Sequence, residues 1–209
     1  MWLAHIPGLV VLVPSTPLDA GGLMTAALAH DGPVIYLEHK LLSENWLDLL
    51  GGGSRKRVKF DVPAEGARGE VQKIWDPIPI GQGVIRRDGE DLTIISVGVS
   101  VHRAIEAATV PENKGISAQV IDLRTVTPLD KKLVIGSVAK TGRMLVVDED
   151  YLGFGLSGEL AAIALEAGVS MKYSRVCTEG TIPFSRQLEY QTLPNVERIV
   201  ESAVTLVNN

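Results

Sequence analysis

Apolar positions along the chain fall into two kinds of run. Short continuous runs at 9–13, 34–37, 92–97, 118–123 and 144–147 read as strands, and the first of them, Leu9-Val10-Val11-Leu12-Val13, is rich in β-branched residues and suits a strand buried on both faces. Residues 80–86 and 172–177 add two further strands. Between and after them apolar residues recur at helical spacing: Val101, Ala104, Ile105 and Ala108; Leu160, Ile163, Ala164 and Ala167; and Val196, Ile199, Val200, Ala203, Val204 and Val207. Strand, helix, strand and helix in alternation predict an α/β fold with a parallel sheet and crossover helices. The stretch 117–159 is its frame. It holds a strand, a capped helix start at Thr127-Pro128-Leu129-Asp130, a turn at Thr141-Gly142, a second strand, the acids Asp148-Glu149-Asp150 and a glycine loop.

Local punctuation sets the boundaries. Thr16 is suited to cap a helix, with Pro17 as its first residue and Asp19 as an early acid at the positive end, so a helix runs from there to about Ala29, weakened slightly by Gly21 and Gly22. Asp31-Gly32-Pro33 is a turn into the strand at 34–37. The resulting β-α-β unit fills only the first forty residues and leaves both sheet edges open, so it is expected to be completed by something outside this sequence or by another subunit. From 41 to 76 the pattern fades through Gly51-Gly52-Gly53, the basic run Arg55-Lys56-Arg57-Val58-Lys59, Pro63, Gly66 and Gly69 to Trp75-Asp76-Pro77. This reads as a linker with a solvated arm and a short hairpin around 57–62. The predicted division is 1–50, a partial α/β domain; 51–78, linker and arm; and 79–209, a complete α/β domain. The tetrapeptide Thr-Pro-Leu-Asp occurs at 16–19 and again at 127–130, most simply through shared cap chemistry.

Composition narrows the function classes. At 45% apolar and 209 residues the chain can build one good core and part of another. Pro14 closes the early apolar run, so neither a membrane span nor a signal-peptide core is read there, and cytoplasm is the default. A net charge of −5 disfavours nucleic acid or an anionic membrane as partner. The single cysteine, Cys177, reads as a small buried strand residue. His5, His39 and His102 read as structural, His102 lying near a helix N-terminus where the macrodipole disfavours protonation. Asp148, Glu149 and Asp150 read as solvated or interface acids, because a strand end aims only two of three the same way. Gly153, Gly155 and Gly158 spell G-x-G-x-x-G after a strand, with Glu179 where a ribose-binding acid would be sought. A dinucleotide site and a tight turn both satisfy that pattern, although the three preceding acids would repel a pyrophosphate.

Several ordered blocks together carry a family resemblance. They are Trp2-Leu3-Ala4-His5-Ile6-Pro7-Gly8-Leu9, Val13-Pro14-Ser15-Thr16-Pro17, Pro33-Val34-Ile35-Tyr36-Leu37-Glu38-His39-Lys40, Val120-Ile121-Asp122-Leu123-Arg124, Thr127-Pro128-Leu129-Asp130, Thr141-Gly142-Arg143, Val146-Val147-Asp148-Glu149-Asp150 and Leu193-Pro194-Asn195-Val196-Glu197-Arg198-Ile199. The chain resembles the β subunit of the thiamine-dependent decarboxylating component of 2-oxo acid dehydrogenase complexes, of the pyruvate, branched-chain and acetoin type. The resemblance implies a C-terminal transketolase-like domain, mostly parallel sheet with flanking helices, preceded by the second half of a pyrimidine-binding α/β domain. It also implies an enzyme that oxidatively decarboxylates a 2-oxo acid and passes the acyl group to lipoyl groups of a multienzyme complex.

The same resemblance sets further expectations. Family β chains begin well upstream of the tryptophan matched by Trp2. The glutamate that activates the aminopyrimidine of thiamine diphosphate, the residues stacking on that ring and an active-site histidine lie in that upstream part, and Glu38 is no substitute. No catalytic or cofactor-binding role therefore falls on this chain, which is expected to be inactive alone. A structural potassium site made of backbone carbonyls maps to Ala27, Leu28, His30 and Gly32. Implied partners are the α subunit of the same component, the dihydrolipoyl acyltransferase, and further copies of the chain through the C-terminal domain. Glu179, Glu189 and Glu197 are the candidates for docking the basic binding domain of the acyltransferase. A non-catalytic assembly module and a dinucleotide-binding enzyme are the other readings.

Overall fold

The computed structural model describes residues 2–43, 69–70, 72–112 and 115–209. The glycine run at 51–53, the basic run at 55–59 and the hairpin expected at 57–62 lie outside the described residues. Two sheets organise the fold. The smaller has the order β2-β1-β6, from β1 (Val10–Leu12), β2 (Val34–Tyr36) and β6 (Thr125–Thr127). The larger has the order β3-β5-β4-β7-β8, from β3 (Val84–Arg87), β4 (Leu92–Ser96), β5 (Ala118–Asp122), β7 (Arg143–Tyr151) and β8 (Lys172–Thr178). Strands β5, β4, β7 and β8 pair in parallel, and β3 is the antiparallel edge. The connections are the helices α1 (Pro17–Leu28), α2 (Lys40–Ser43), α3 (Val99–Glu112), α4 (Lys131–Thr141), α5 (Leu156–Glu166), α6 (Arg186–Thr192) and α7 (Val196–Asn208).

The alternation of strand side chains explains the layering. On β4, Leu92 and Ile94 face one side and join Val120, Leu145 and Val147 under α3 and α7, through Ala104, Ala108, Ile199 and Ala203. Ile95 faces the other side and joins Ile121, Met144 and Val146 under α4 and α5, through Val134, Val138, Leu156 and Leu160. Val11 of β1 belongs to this second cluster, so the small sheet adds to the core of the large one. Among the described residues no helix is long and apolar enough to cross a membrane.

The edge of β1 expected to be open is taken in part by this same chain. Strand β6 pairs antiparallel with β1, Val11 opposite Thr127 and Leu12 opposite Thr125. Val126 is the single apolar residue of β6, between two threonines, so no apolar run marks this strand as runs mark the equally short β1 and β2. The pairing also means that the small sheet crosses the boundary expected near residue 78.

The two copies of Thr-Pro-Leu-Asp fold differently. In the first, Thr16 is the N-cap, accepting from the Asp19 N–H at 3.1 Å, with Pro17 opening α1. In the second, Thr127 ends β6, the Thr127–Pro128 bond is cis, and Asp130 caps α4 by accepting from the Leu133 N–H at 3.0 Å. The capped start expected at Thr127 therefore moves three residues on, because strand pairing with β1 claims Thr127.

The glycines of α1 have a packing role beyond weakening the helix. A Cβ at Gly21 would sit 2.1 Å from the Trp75 ring, and one at Gly22 would sit 2.6 Å from Ile78. The Ile78 N–H donates to the Gly22 carbonyl at 3.0 Å. The chain entering the large sheet thus lies directly on α1, and only glycine admits it. Strand β3 begins at Val84 rather than at 80, since Gly81 turns with φ +83° and the Gly83 N–H is held by Asp130 at 3.1 Å.

Candidate functional site

The carboxyl ends of β1 and β2 face those of β4 and β7, and the space between them is a crevice of about 240 Å³ lined by Val13, Glu38, His39, Gly98, Asp148 and Glu149 among others. In open α/β sheets this is where ligands are usually bound, outside the strand ends where the connections diverge. Its chemistry is that of a joint between the two sheets. Arg103 of α3, 4% exposed, donates from Nη1 to Glu149 Oε1 at 2.5 Å. His39, which follows β2, meets Glu149 Oε2 through Nε2 at 2.6 Å. The Leu41 N–H donates to His39 Nδ1 at 3.2 Å, so Nε2 carries the proton toward Glu149. Burial opposes ionisation of Glu149, but the hydrogen bonds from His39 and Arg103 and the positive charge of Arg103 outweigh it and hold its carboxyl below the ordinary value. At Asp148, 8% exposed, burial pushes the carboxyl up to about 6, opposed by the Asp150 N–H and reinforced by the Asp150 charge. Asp148 is therefore buried and Glu149 paired, which departs from the solvated one of the two readings, solvated or interface acids, that the sequence allowed.

Behind the crevice lies a second ionic cluster, more deeply buried. Asp19 of α1 and Asp122 at the end of β5 are both 0% exposed. The Arg86 guanidinium of β3 lies between them, donating to Asp122 Oδ2 from Nη2 at 2.8 Å and from Nε at 3.1 Å, and from Nη2 to Asp19 Oδ2. Arg124 Nε lies 2.7 Å from Asp19 Oδ1, close but without the alignment of a hydrogen bond. Ser15 Oγ donates to Asp122, and Thr16 Oγ1 to Asp19 at 2.6 Å. Burial pushes the Asp122 carboxyl up despite the Arg86 charge and the Ser15 hydrogen bond. Two carboxylates and two guanidiniums thus balance across the seam. His102 Nε2 donates to the Ser15 carbonyl at 2.6 Å, a structural role that fits the sequence reading. Nothing in the sequence pattern marked Asp19, Arg86, Asp122 and Arg124 as one cluster, since Asp19 lies 67 positions from Arg86.

The other predicted residues are scattered. Ala27, Leu28, His30 and Gly32 lie at the end of α1 and in the turn to β2, where the Ala27 carbonyl already accepts from Ala29 and His30. Glu179 pairs with Arg198 at 3.2 Å, and Glu197 accepts from the Tyr190 hydroxyl, which holds its carboxyl below the ordinary value. Glu189 is exposed on α6 beside the exposed Leu188. Cys177 is buried in β8 as expected. In the glycine loop, Gly155 is needed because a Cβ there would lie 2.3 Å from the Tyr151 carbonyl, whereas Gly153 and Gly158 face open space. A dinucleotide fingerprint requires its last glycine for close helix–strand packing. Gly158 makes none, so the loop is a turn and not that fingerprint. Among the described residues no group of three or more His, Cys, Asp or Glu is placed to hold a metal ion.

The description "Transketolase, C-terminal domain" matches residues 81–199, more than half of the chain, and the chain belongs to that family. In particular, it is similar to the C-terminal portion of dehydrogenase β subunits. It is 38% identical over 207 residues to the β subunit of acetoin:2,6-dichlorophenolindophenol oxidoreductase from Cupriavidus necator, covering 95% of this chain and 54% of that protein. The pyruvate dehydrogenase E1 component subunit beta of Bacillus subtilis is 37% identical over 209 residues, with 96% and 56% covered. The 2-oxoisovalerate dehydrogenase subunit beta of the same bacterium is 40% identical over 163 residues, with 78% and 43% covered. The chain therefore spans about half the length of these relatives. Among solved structures, a split gene transketolase described as an inactive β4 tetramer matches with a TM-score of 0.75 at 22% identity, covering 99% of this chain and 59% of that one. Transketolase from Leishmania mexicana matches with a TM-score of 0.62 at 16% identity, covering 99% and 26%. These two likenesses bear on the fold alone.

Proposed function

We propose that the chain acts as the C-terminal part of the β subunit of a thiamine-dependent 2-oxo acid dehydrogenase component, in the cytoplasm. Residues 1–50 are the second half of a pyrimidine-binding domain, 51–78 the linker and 79–209 the C-terminal domain. The observation that carries this reading is similarity along nearly the whole chain to β subunits of acetoin and pyruvate enzymes, and along 78% of it to that of a 2-oxoisovalerate enzyme. Its role is to bind the α subunit and further copies of itself and to dock the dihydrolipoyl acyltransferase, while the component decarboxylates a 2-oxo acid and transfers the acyl group. Co-expression with the α subunit tests it. Stable co-purification is expected, and loss of the α subunit on gel filtration would sink the proposal.

The crevice does not fit thiamine diphosphate. The diphosphate would face Glu38, Asp148 and Glu149, and the nearby cations Arg103, Arg86 and Arg124 already meet carboxylates. No step of the reaction is assigned to these residues. The 209-residue chain by itself is expected not to hold the cofactor, and micromolar binding by titration calorimetry would overturn that.

Two finer parts complete the proposal. The turn carrying Ala27, Leu28, His30 and Gly32 is assigned to potassium through backbone carbonyls, with Ala27 the weakest ligand because its carbonyl already accepts two N–H groups. A rubidium soak is expected to give an anomalous peak beside Gly32, and its absence removes the site. Among Glu179, Glu189 and Glu197, the first and last have partners within the chain, so Glu189 is the main docking acid. Glu189→Lys is expected to weaken capture of the acyltransferase more than Glu179→Lys does, and equal capture by all three reversals would place docking elsewhere.

A further inference from the structure

Between β5 and β6 the chain turns on an arginine. Arg124 has a φ of +58°, a region that glycine enters freely and other residues rarely do. The turn is tightly closed. The Thr125 N–H donates to the Leu123 carbonyl at 2.5 Å, the Val13 N–H to the Arg124 carbonyl at 2.8 Å, and the Arg124 N–H to Asp122 Oδ1 at 3.1 Å. All of these bonds use the backbone of residue 124, so glycine would serve the turn equally well and without strain. The reason for an arginine lies in its side chain, which is only 13% exposed.

That side chain has donors to spare. Arg124 Nε is buried without a hydrogen bond, and among the described residues the Nη groups donate none either. A guanidinium so withdrawn from water normally meets carboxylates or carbonyls, because unmet buried donors cost free energy. Its ionic neighbour, Asp19 Oδ1, stands 2.7 Å from Nε and leaves the Nη edge unbonded. The other oxygen of Asp19 is taken by Nη2 of Arg86, whose side chain is 17% exposed and whose Nη1 makes no hydrogen bond among the described residues. One buried carboxylate thus holds two guanidiniums side by side, each with an unused donor group. Burial also pushes the Asp122 carboxyl up toward its neutral form, so the cluster tolerates one added negative charge.

We propose that Arg124 and Arg86 bind the carboxylate of a small acid, Arg124 through its paired Nη groups and Arg86 through Nη1. A planar carboxylate accepts parallel hydrogen bonds from a guanidinium edge. Chloride has no second acceptor atom to offer, and a phosphate dianion would bring a second charge against Asp19 and Asp122. Neither arginine lines the crevice between the strand ends, so the site is separate from it. The inference stands on the geometry of this chain and does not depend on the proposed function.

NMR of the arginine Nε–H signals of the full chain tests it, with sodium acetate, sodium chloride and sodium phosphate added in turn at constant ionic strength. Acetate is expected to shift the Arg124 and Arg86 signals saturably, with a Kd in the millimolar range. Chloride and phosphate are expected to bind about tenfold more weakly or not at all. Arg124→Lys keeps the charge but loses the paired donors. It is expected to raise the acetate Kd by about tenfold, read from the Arg86 signal, with circular dichroism confirming that the variant is folded. If that variant does not fold, the order of the three anions on the wild-type chain decides. A non-saturable response to acetate, an equal response to chloride, tighter binding of phosphate, or an unchanged acetate Kd in folded Arg124→Lys overturns the proposal.

Discussion

Asp148 offers a test of the electrostatics with a worked magnitude. It lies at the end of β7, 8% exposed, and burial pushes its carboxyl from the ordinary 3.8 up to about 6. An acid whose folded pKa is raised contributes stability that is fully present below the unfolded value and is lost as the pH rises through the folded value. The loss therefore falls between about pH 3.8 and about 6. That interval is about two pH units, which at about 1.4 kcal/mol each sets a ceiling of about 3 kcal/mol. The crevice admits solvent, so roughly 1–2 kcal/mol is the expected effect. Asp148→Asn removes the charge and keeps the oxygen that accepts from the Asp150 N–H at 3.1 Å. The variant is expected to be more stable than the parent at pH 7.5 by that amount, with the difference shrinking as the pH approaches 4. Urea unfolding at a series of pH values measures it. A difference independent of pH, or a variant less stable at pH 7.5, would refute the reasoning.

Other predictions concern the joint and the turns. Arg86→Met leaves Asp19 and Asp122, both 0% exposed, without their shared guanidinium; a loss of about 3–5 kcal/mol is expected in urea unfolding at pH 7, partly recovered at lower pH as Asp122, whose carboxyl burial already pushes up, protonates. Gly21→Ala places a methyl where the Trp75 ring stands at 2.1 Å, so exchange of the Ile78 amide, bonded to Gly22, is expected to accelerate by about tenfold or more; unchanged protection argues that Trp75 does not seat on α1. Gly142 ends α4 with φ +63° and donates to the Val138 carbonyl, and Gly142→Ala is expected to cost about 1 kcal/mol in thermal unfolding, with no cost excluding the left-handed cap.

What the sequence disclosed was local, and what it hid was long-range. Thr16, Pro17 and Asp19 announced the start of α1, and the stripe through Ile199 and Ala203 announced α7, because cap chemistry and periodicity operate within a few residues. The same local signal misplaced the start of α4, since Thr127 was equally able to cap a helix and was taken by a strand pairing with β1 more than a hundred residues away. Asp19 was read only as an acid at a helix end. Its ion pairs to Arg86 and Arg124 depend on where two sheets meet, and no spacing encodes that. Gly21 and Gly22 looked like minor defects until Trp75 and Ile78 were seen against them. The 3-residue β1 and β2 were legible because they lie inside longer apolar runs, whereas β6, with Val126 alone between two threonines, and the largely polar α6 have no such run around them.

The joint between the sheets combines two kinds of interaction with different consequences. Val11 supplies apolar contact with the core of the large sheet, and such contact is non-directional, tolerating a slide of one element over another. The Arg86 fork is directional: it must reach Asp122 at 2.8 Å and Asp19 together, and a shift of one residue, about 3.3 Å along a strand, breaks both. The His39–Glu149–Arg103 chain imposes a second such condition on the other side of the seam. Two separate directional conditions leave one relative placement of the sheets. The carboxyl ends of β1, β2, β4 and β7 are therefore held facing one another across a fixed crevice, although each lobe packs its own apolar cluster.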